Sequence, residues 1–312
     1  MRPNDPAIPA CVDQAYHKLH AGKVTVSQWR GKDVDALDPD QSNDWWGHVS
    51  DKAVKQVCRA RYGELWCGVR CHQLFGGDMH CRACGHDTDS WAHVLLGCEH
   101  PAVRGAITNR HNAALRALEA GIRAGSLGRW LMLVNAGDAD GEGEERTIPD
   151  WMGAPPEQGG RLKPDIVIVE GWPATAGTPP RPVTWCMGRR VRLRIVEFTC
   201  TTERLIAQRR DEKREKYRPL ARELSRLGWG MAPEPVEAVA VGVRGGIPAA
   251  MGDTLHRLGI PERVRRGVVR SIQSAVLEGN VAVVRAKRVA DGPHSYRSGD
   301  AVASGGCREH TV

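Results

Sequence analysis

Apolar positions recur at helical spacing from Trp45 to Leu74, through Val54, Val57, Cys58, Tyr62 and Leu65, and predict one or two helices there. The segment CRACGHDTDSWAHVLLGC (81–98) reads as a tight turn at its Cys-x-x-Cys, then a short helix with Trp91, Val94 and Leu95 that Pro101 breaks. A longer helix is expected from about Ala106 to Ala124, with Ile107, Ala114, Leu115, Leu118 and Ile122 on one side and Gly125 at its end. RWLMLV (129–134), KPDIVIVEG (163–171), RLRIVEFTC (192–200) and PVEAVAVGV (235–243) are strand candidates. A charged helix is expected from about Thr202 to Leu227, stopped by Gly228, and helical segments around 250–258 and 262–287, the second with Pro261 at its start.

From residue 106 onward this order is helix, three strands, helix, strand, which predicts an α/β fold with a mixed sheet. Residues 1–43 lack a sustained apolar period and read as a flexible N-terminal tail; 44–100 form a helical, metal-binding region. The main domain spans 101–262, with 135–162, rich in Gly, Pro and acid, as a flexible surface loop. A C-terminal helix (263–290) and a disordered tail (291–312) complete the expected organisation.

Composition narrows the class. A chain of 312 residues with 41% hydrophobic and 26% charged positions builds a real core. No window reaches the about eighteen uninterrupted apolar residues of a membrane span, and MRPNDPAIPACVDQ has no apolar core of a secretory signal. The expectation is an intracellular protein, neither secreted nor membrane-bound. Net charge is +7, and its distribution matters more than its size. Between Arg181 and Arg226 fourteen Arg/Lys face six Asp/Glu, so a polyanion, with nucleic acid first, is the expected partner; a solvated basic helix is the plainer alternative.

Six of ten cysteines, Cys58, Cys67, Cys71, Cys81, Cys84 and Cys98, crowd together with His72, His80, His86, His93 and His100. Cys81-x2-Cys84-x8-His93-x4-Cys98 offers three thiolates and an imidazole, a set zinc takes tetrahedrally with no position left for water. The site is therefore read as structural zinc. His86 or His100 in place of His93, and a second site at Cys67 and Cys71, stay open as alternatives.

Asp165 lies near the start of one strand and Glu197 near the end of the next, so a hairpin would bring both carboxylates to one edge. Two carboxylates suit Mg²⁺, which orients water and stabilises phosphodiester charge. Lys213 and Lys216, on the following helix, are the candidate lysines. The plainer alternatives are a turn residue at Asp165, a Glu197 pair with Arg192 or Arg194, and solvated lysines.

Taken together, the zinc knuckle at 81–98, Arg110-His111-Asn112, Lys163-Pro164-Asp165, the acid of IVEFT (Glu197) and Lys213-x2-Lys216-Tyr217 occur in an order that resembles a known family. It is the C-terminal restriction-like endonuclease region of site-specific non-LTR retrotransposon polyproteins, and the resemblance covers roughly residues 45–285. It implies a PD-(D/E)XK fold with Asp165 and Glu197 binding Mg²⁺. Thr199 stands where the lysine after the second acid is usual, and the resemblance moves that role to Lys213, with Lys216 as substitute. Arg110, His111 and Asn112 would lie near the DNA path.

The family nicks chromosomal DNA so that the freed 3′ end primes reverse transcription. DNA, element RNA and a reverse transcriptase of the same element, absent from this chain, are the implied partners, and the nucleus the implied location in a eukaryote. Arg204, Arg209, Arg210, Arg214 and Arg218 are the expected phosphate contacts. The alternative is a zinc-containing nucleic-acid-binding module that no longer cuts. With no Walker loop and no Gly-rich dinucleotide fingerprint, no small-molecule cofactor is expected.

Overall fold

Pairing of Ile166 with Val196 sets the register of an antiparallel strand pair at the centre of the protein. The computed structural model describes residues 37–292 apart from 46, 77, 136–147, 154–161, 177–179, 182–184 and 187–188. In chain order the elements are α1 (Pro39–Asn43), α2 (Asp51–Arg61), α3 (Gly68–Phe75), a π-helical turn (His93–Gly97), α4 (Pro101–Arg123) and β1 (Trp130–Val134). They continue with β2 (Ile166–Pro173), β3 (Trp185–Cys186), β4 (Arg189–Arg190), β5 (Arg192–Thr201), α5 (Ile206–Arg226), β6 (Gly230–Gly242), α6 (Met251–Arg257) and α7 (Glu262–Asp291).

A four-stranded mixed sheet runs in the order β1-β2-β5-β6. β1, β2 and β5 pair antiparallel, whereas β6 joins β5 in parallel after the α5 crossover. Covered on both faces, β2 and β5 carry near-continuous apolar runs rather than a polar alternation. Ile166, Ile168, Val196 and Phe198 face a core built with α4, α6 and α7. Val167, Val169, Leu193 and Ile195 face the other core, built with Tyr217, Leu220 and Leu224 of α5.

Helices α4 and α7 pack closely because glycines remove Cβ atoms at the crossing. A Cβ on Gly279 would lie 2.4 Å from Arg110 Cγ, and one on Gly121 would lie 2.7 Å from a Val268 methyl. The C-terminal helix thus contributes Val268, Val269, Ile272 and Val276 to the main core.

Three boundaries differ from the sequence reading. Pro101 starts α4 instead of ending the preceding segment, since a missing N–H and a fixed φ suit the first helical position. The expected tail ends before Leu37, which is buried and bridges Pro248, while Asp38 N–H bonds Ile247 O at 2.8 Å. The expected loop at 135–162 holds a 3₁₀ turn (Asp150–Met152) whose Met152 is fully buried and accepts the Trp229 indole N–H at 2.9 Å. The rest of the tail calls, at 1–36 and 293–312, lies outside the described residues.

Candidate functional site

Pro164 has no N–H for a ladder, so β2 begins two residues later and leaves Asp165 at the strand mouth. There the two strands exchange side-chain bonds. Asp165 N–H donates to Glu197 Oε1 at 3.0 Å, and Phe198 N–H donates to Asp165 Oδ2 at 2.6 Å. On the α4 side His111 Nε2 stands 3.2 Å from Asp165 Oδ1, its ring 5.5 Å from that of Phe198. On the α5 side Lys213 Nζ donates to Glu197 Oε2 at 2.9 Å. Two carboxylates, an imidazole and an ammonium therefore converge from two strands and two helices.

Glu197 is 1% exposed in its side chain. Burial, and then the charge of Asp165, push its carboxyl above the ordinary value, with Lys213 acting against them. Tyr217, one turn beyond Lys213, is buried beneath the pair and donates to Lys163 O at 2.9 Å. Burial, reinforced by Glu197, pushes its hydroxyl far up, so it stays a neutral donor. Lys216 points instead to Tyr217, with Nζ 3.3 Å from the hydroxyl. The plainer alternative for Glu197 does not hold: Arg194 pairs with Glu170 at 2.6 Å. A cleft of about 410 Å³, lined by Thr199, Thr201, Arg209, Lys213 and Lys216, opens beside the cluster.

The remaining predicted nucleic-acid residues separate into groups. Arg110 is 2% exposed, and its Nη1 donates to Leu95 O at 2.8 Å and Asn280 Oδ1 at 2.7 Å. That guanidinium has no surface to offer a DNA strand and instead ties α4 to α7 and the π turn. Asn112 is buried as well, so of the triplet only His111 reaches the cluster. On α5, Arg209 pairs with Glu212, Arg210 with Asp211, Arg214 with Asp211 and the buried Glu237, and Arg218 with Glu215. Opposite charges three residues apart share one helix face, so this helix presents less free charge than its residue count implies. Arg204 is exposed.

The Cys81, Cys84, His93 and Cys98 donor atoms all lie within 4.8 Å of one another. Cys81 Sγ is 3.9 Å from Cys98 Sγ and Cys84 Sγ is 3.4 Å from His93 Nε2. Tetrahedral zinc with bonds of about 2.3 Å separates its sulfur ligands by about 3.8 Å, so the donor set fits a metal such as zinc. His86 stacks on the His93 ring at 4.5 Å, with Nδ1 against the Thr88 backbone, and stands outside the four-donor set. Neither His100 nor a Cys67–Cys71 pair belongs to such a cluster among the described residues.

For two residues of the motifs, His111 and Tyr217, the sequence does not give the contact that the fold does. The resemblance places His111 near the DNA path; its approach to Asp165 depends on how α4 crosses the sheet. Tyr217 was legible as the residue four after Lys213, on the same helix face. No described helix is long and apolar enough to cross a membrane. No known family model matches this chain, and no curated protein matches it.

Proposed function

We propose that this protein is a metal-dependent DNA endonuclease of the PD-(D/E)XK type with a structural zinc knuckle, as in site-specific non-LTR retrotransposons. The observation that carries the reading is the convergence of Asp165, Glu197 and Lys213 at the mouth of one antiparallel strand pair. Such a trio is what phosphodiester hydrolysis needs: oxygen ligands for a hard cation and a fixed positive charge beside them. DNA is the partner in this reading, together with element RNA and a reverse transcriptase of the same element, and the nucleus is the location in a eukaryote.

Mg²⁺ suits the donor set. The pair offers four carboxylate oxygens, the hard ligands such an ion prefers. Two carboxylates against one ammonium also leave negative charge for a cation to balance. Asp165 and Glu197 would hold the ion, which when bound supplies an oriented water and charge neutralisation at phosphorus. The chain's own residues do the rest. Lys213 places its ammonium where charge develops on a phosphate oxygen, His111 orients Asp165, and the buried Tyr217 fixes the backbone of Lys163 beside the site.

The test is nicking of supercoiled plasmid with Mg²⁺ by the parent protein, Asp165→Ala and Lys213→Ala. Nicking by the parent alone is expected. Salt-sensitive DNA binding without nicking would overturn the enzyme in favour of a binding module, and nicking by all three would place the chemistry elsewhere.

A further inference from the structure

The net positive charge of this chain has a second, unpaired concentration away from α5. Helix α2 packs against α7 through Ala53 and Val57 on Leu277. Along the rim of that contact runs a groove of about 720 Å³ lined by Lys52, Lys55, Arg59, Arg285 and Arg288, with valine side chains of α7 at its floor. Lys52, Lys55 and Arg59 are spaced three and four apart, and Arg285 and Arg288 three apart, so each helix turns one cationic face to the groove. All five are exposed, no carboxylate lines the groove, and none of the five makes an ion pair among the described residues. The contrast with α5, where Arg209, Arg210, Arg214 and Arg218 each face a carboxylate, is direct.

We propose that this α2–α7 groove is a separate docking surface for the phosphate backbone of duplex DNA. Uncompensated like charges repel, and holding five of them together costs stability unless an anion neutralises them. A single small anion engages two or three donors. Three cations over seven residues of α2 span about 10 Å, which calls for an anion that repeats. The lining holds no aromatic ring on which an unpaired base would stack, so a paired duplex fits better than a single strand. It also offers no backbone edge, and its valines are too little apolar surface for an acidic amphipathic helix. Lys and Arg supply five of the six polar side chains of the lining and Gln56 the sixth, so the contact is chiefly to phosphates. The groove shares no residue with the Asp165–Glu197 cluster, so the inference stands whether or not that cluster cuts DNA.

The experiment measures binding of the full chain to a 30-base-pair DNA duplex over a salt series, in Mg²⁺-free buffer. The parent is compared with Lys52→Gln/Lys55→Gln/Arg59→Gln and with Arg285→Gln/Arg288→Gln, and circular dichroism and melting verify that the variants fold. Each phosphate contact contributes about 0.9 to the log–log salt slope. The triple variant is expected to reduce the slope by roughly 2–3 and weaken binding at least about tenfold, and the double variant to reduce it by roughly 2. Unchanged affinity and slope in both folded variants would overturn the proposal. So would poly-glutamate of equal charge displacing the DNA from the parent as well as unlabelled duplex DNA does.

Discussion

Lys287 Nζ lies 3.2 Å from Asp89 Oδ2, across 198 residues of sequence, with both side chains 2% exposed. The same ammonium reaches both oxygens of Asp291 at 2.6 Å, and Asp89 Oδ2 also takes the Gly68 N–H at 2.9 Å. One buried charge cluster thus fastens the metal-binding region to the last turns of α7. Burial lowers the proton affinity of an amine, yet the carboxylates outweigh it and hold Lys287 above its ordinary value.

Removing that ammonium strands two buried carboxylates. Lys287→Met is expected to destabilise the protein by about 3–5 kcal/mol, since breaking a buried pair costs more than the pair contributes. Urea unfolding would measure it. A loss below about 1 kcal/mol would mean that water reaches the cluster.

The cysteine cluster predicts about one tightly held zinc per chain by elemental analysis. Burial raises the Cys81 thiol and pushes the Cys98 thiol up to about 12 when no metal is present. At Cys84, in contrast, burial is outweighed by hydrogen bonds from backbone N–H groups and neighbouring thiols, which hold the thiol below its ordinary value. Without a cation the three sulfurs and the imidazole lose the ion that ties them together, so chelation should lower the melting temperature, and Cys84→Ser should lose the metal. Cys67→Ser should keep it, because Cys67 stands outside the donor set. A folded, metal-free wild-type chain would refute the site.

At the carboxylate cluster the two lysines are no longer equivalent. Lys213 contacts Glu197, whereas Lys216 lies over the Tyr217 ring with Nζ 4.8 Å from its centroid. Lys213→Ala should lower Mg²⁺-dependent nicking at least about a hundredfold, the scale of one lost electrostatic donor. Lys216→Ala should cost less than about tenfold. A reversed order in plasmid-nicking rates would assign the role to Lys216.

Strand and helix order was legible because the runs at 163–171, 192–200 and 235–243 are apolar on both faces and α4 keeps a clean 3.6-residue stripe. The convergence of Asp165 with Glu197 followed from hairpin pairing alone. What pattern could not supply was long-range. Arg110 looks like a surface cation beside His111, but α7 covers it, and only Gly279 in α7 makes room. The charge count on α5 was correct, yet side-chain pairing within the helix and with Glu237 decides how much of it is free. Met152 sits in a Gly/Pro-rich segment and is buried because Trp229, far along the chain, packs over it.

Gly279 makes that argument measurable. A methyl there would meet Arg110 Cγ at 2.4 Å and Arg110 Cα at 3.1 Å, while Arg110 is held by Leu95 and Asn280. Alanine ordinarily stabilises a helix interior by about 1 kcal/mol over glycine. Here overpacking should win, and Gly279→Ala is expected to cost about 1–3 kcal/mol net in urea unfolding. Gly267→Ala, with open space around its Cβ position in the same helix, should stabilise instead and serves as the control.

Asp44 sits between two arginines of α7, its oxygens 2.7–2.9 Å from Arg266 and Arg270. The hydrogen bonds from Arg266 and Arg270 hold its carboxyl well below its ordinary value of 3.8. A folded-state pKa lower than the unfolded one stabilises above the unfolded value, and the gain disappears as pH falls through the folded value. Asp44→Asn should therefore cost about 1 kcal/mol at pH 7, the upper range for an exposed ion pair. The difference between parent and variant in urea midpoint should hold from pH 7 to pH 5 and shrink below about pH 4. Half-molar salt should reduce it at pH 7, because Arg266 stands in solvent. A difference that stays constant down to pH 3 would mean that Asp44 contributes through shape and not through its charge.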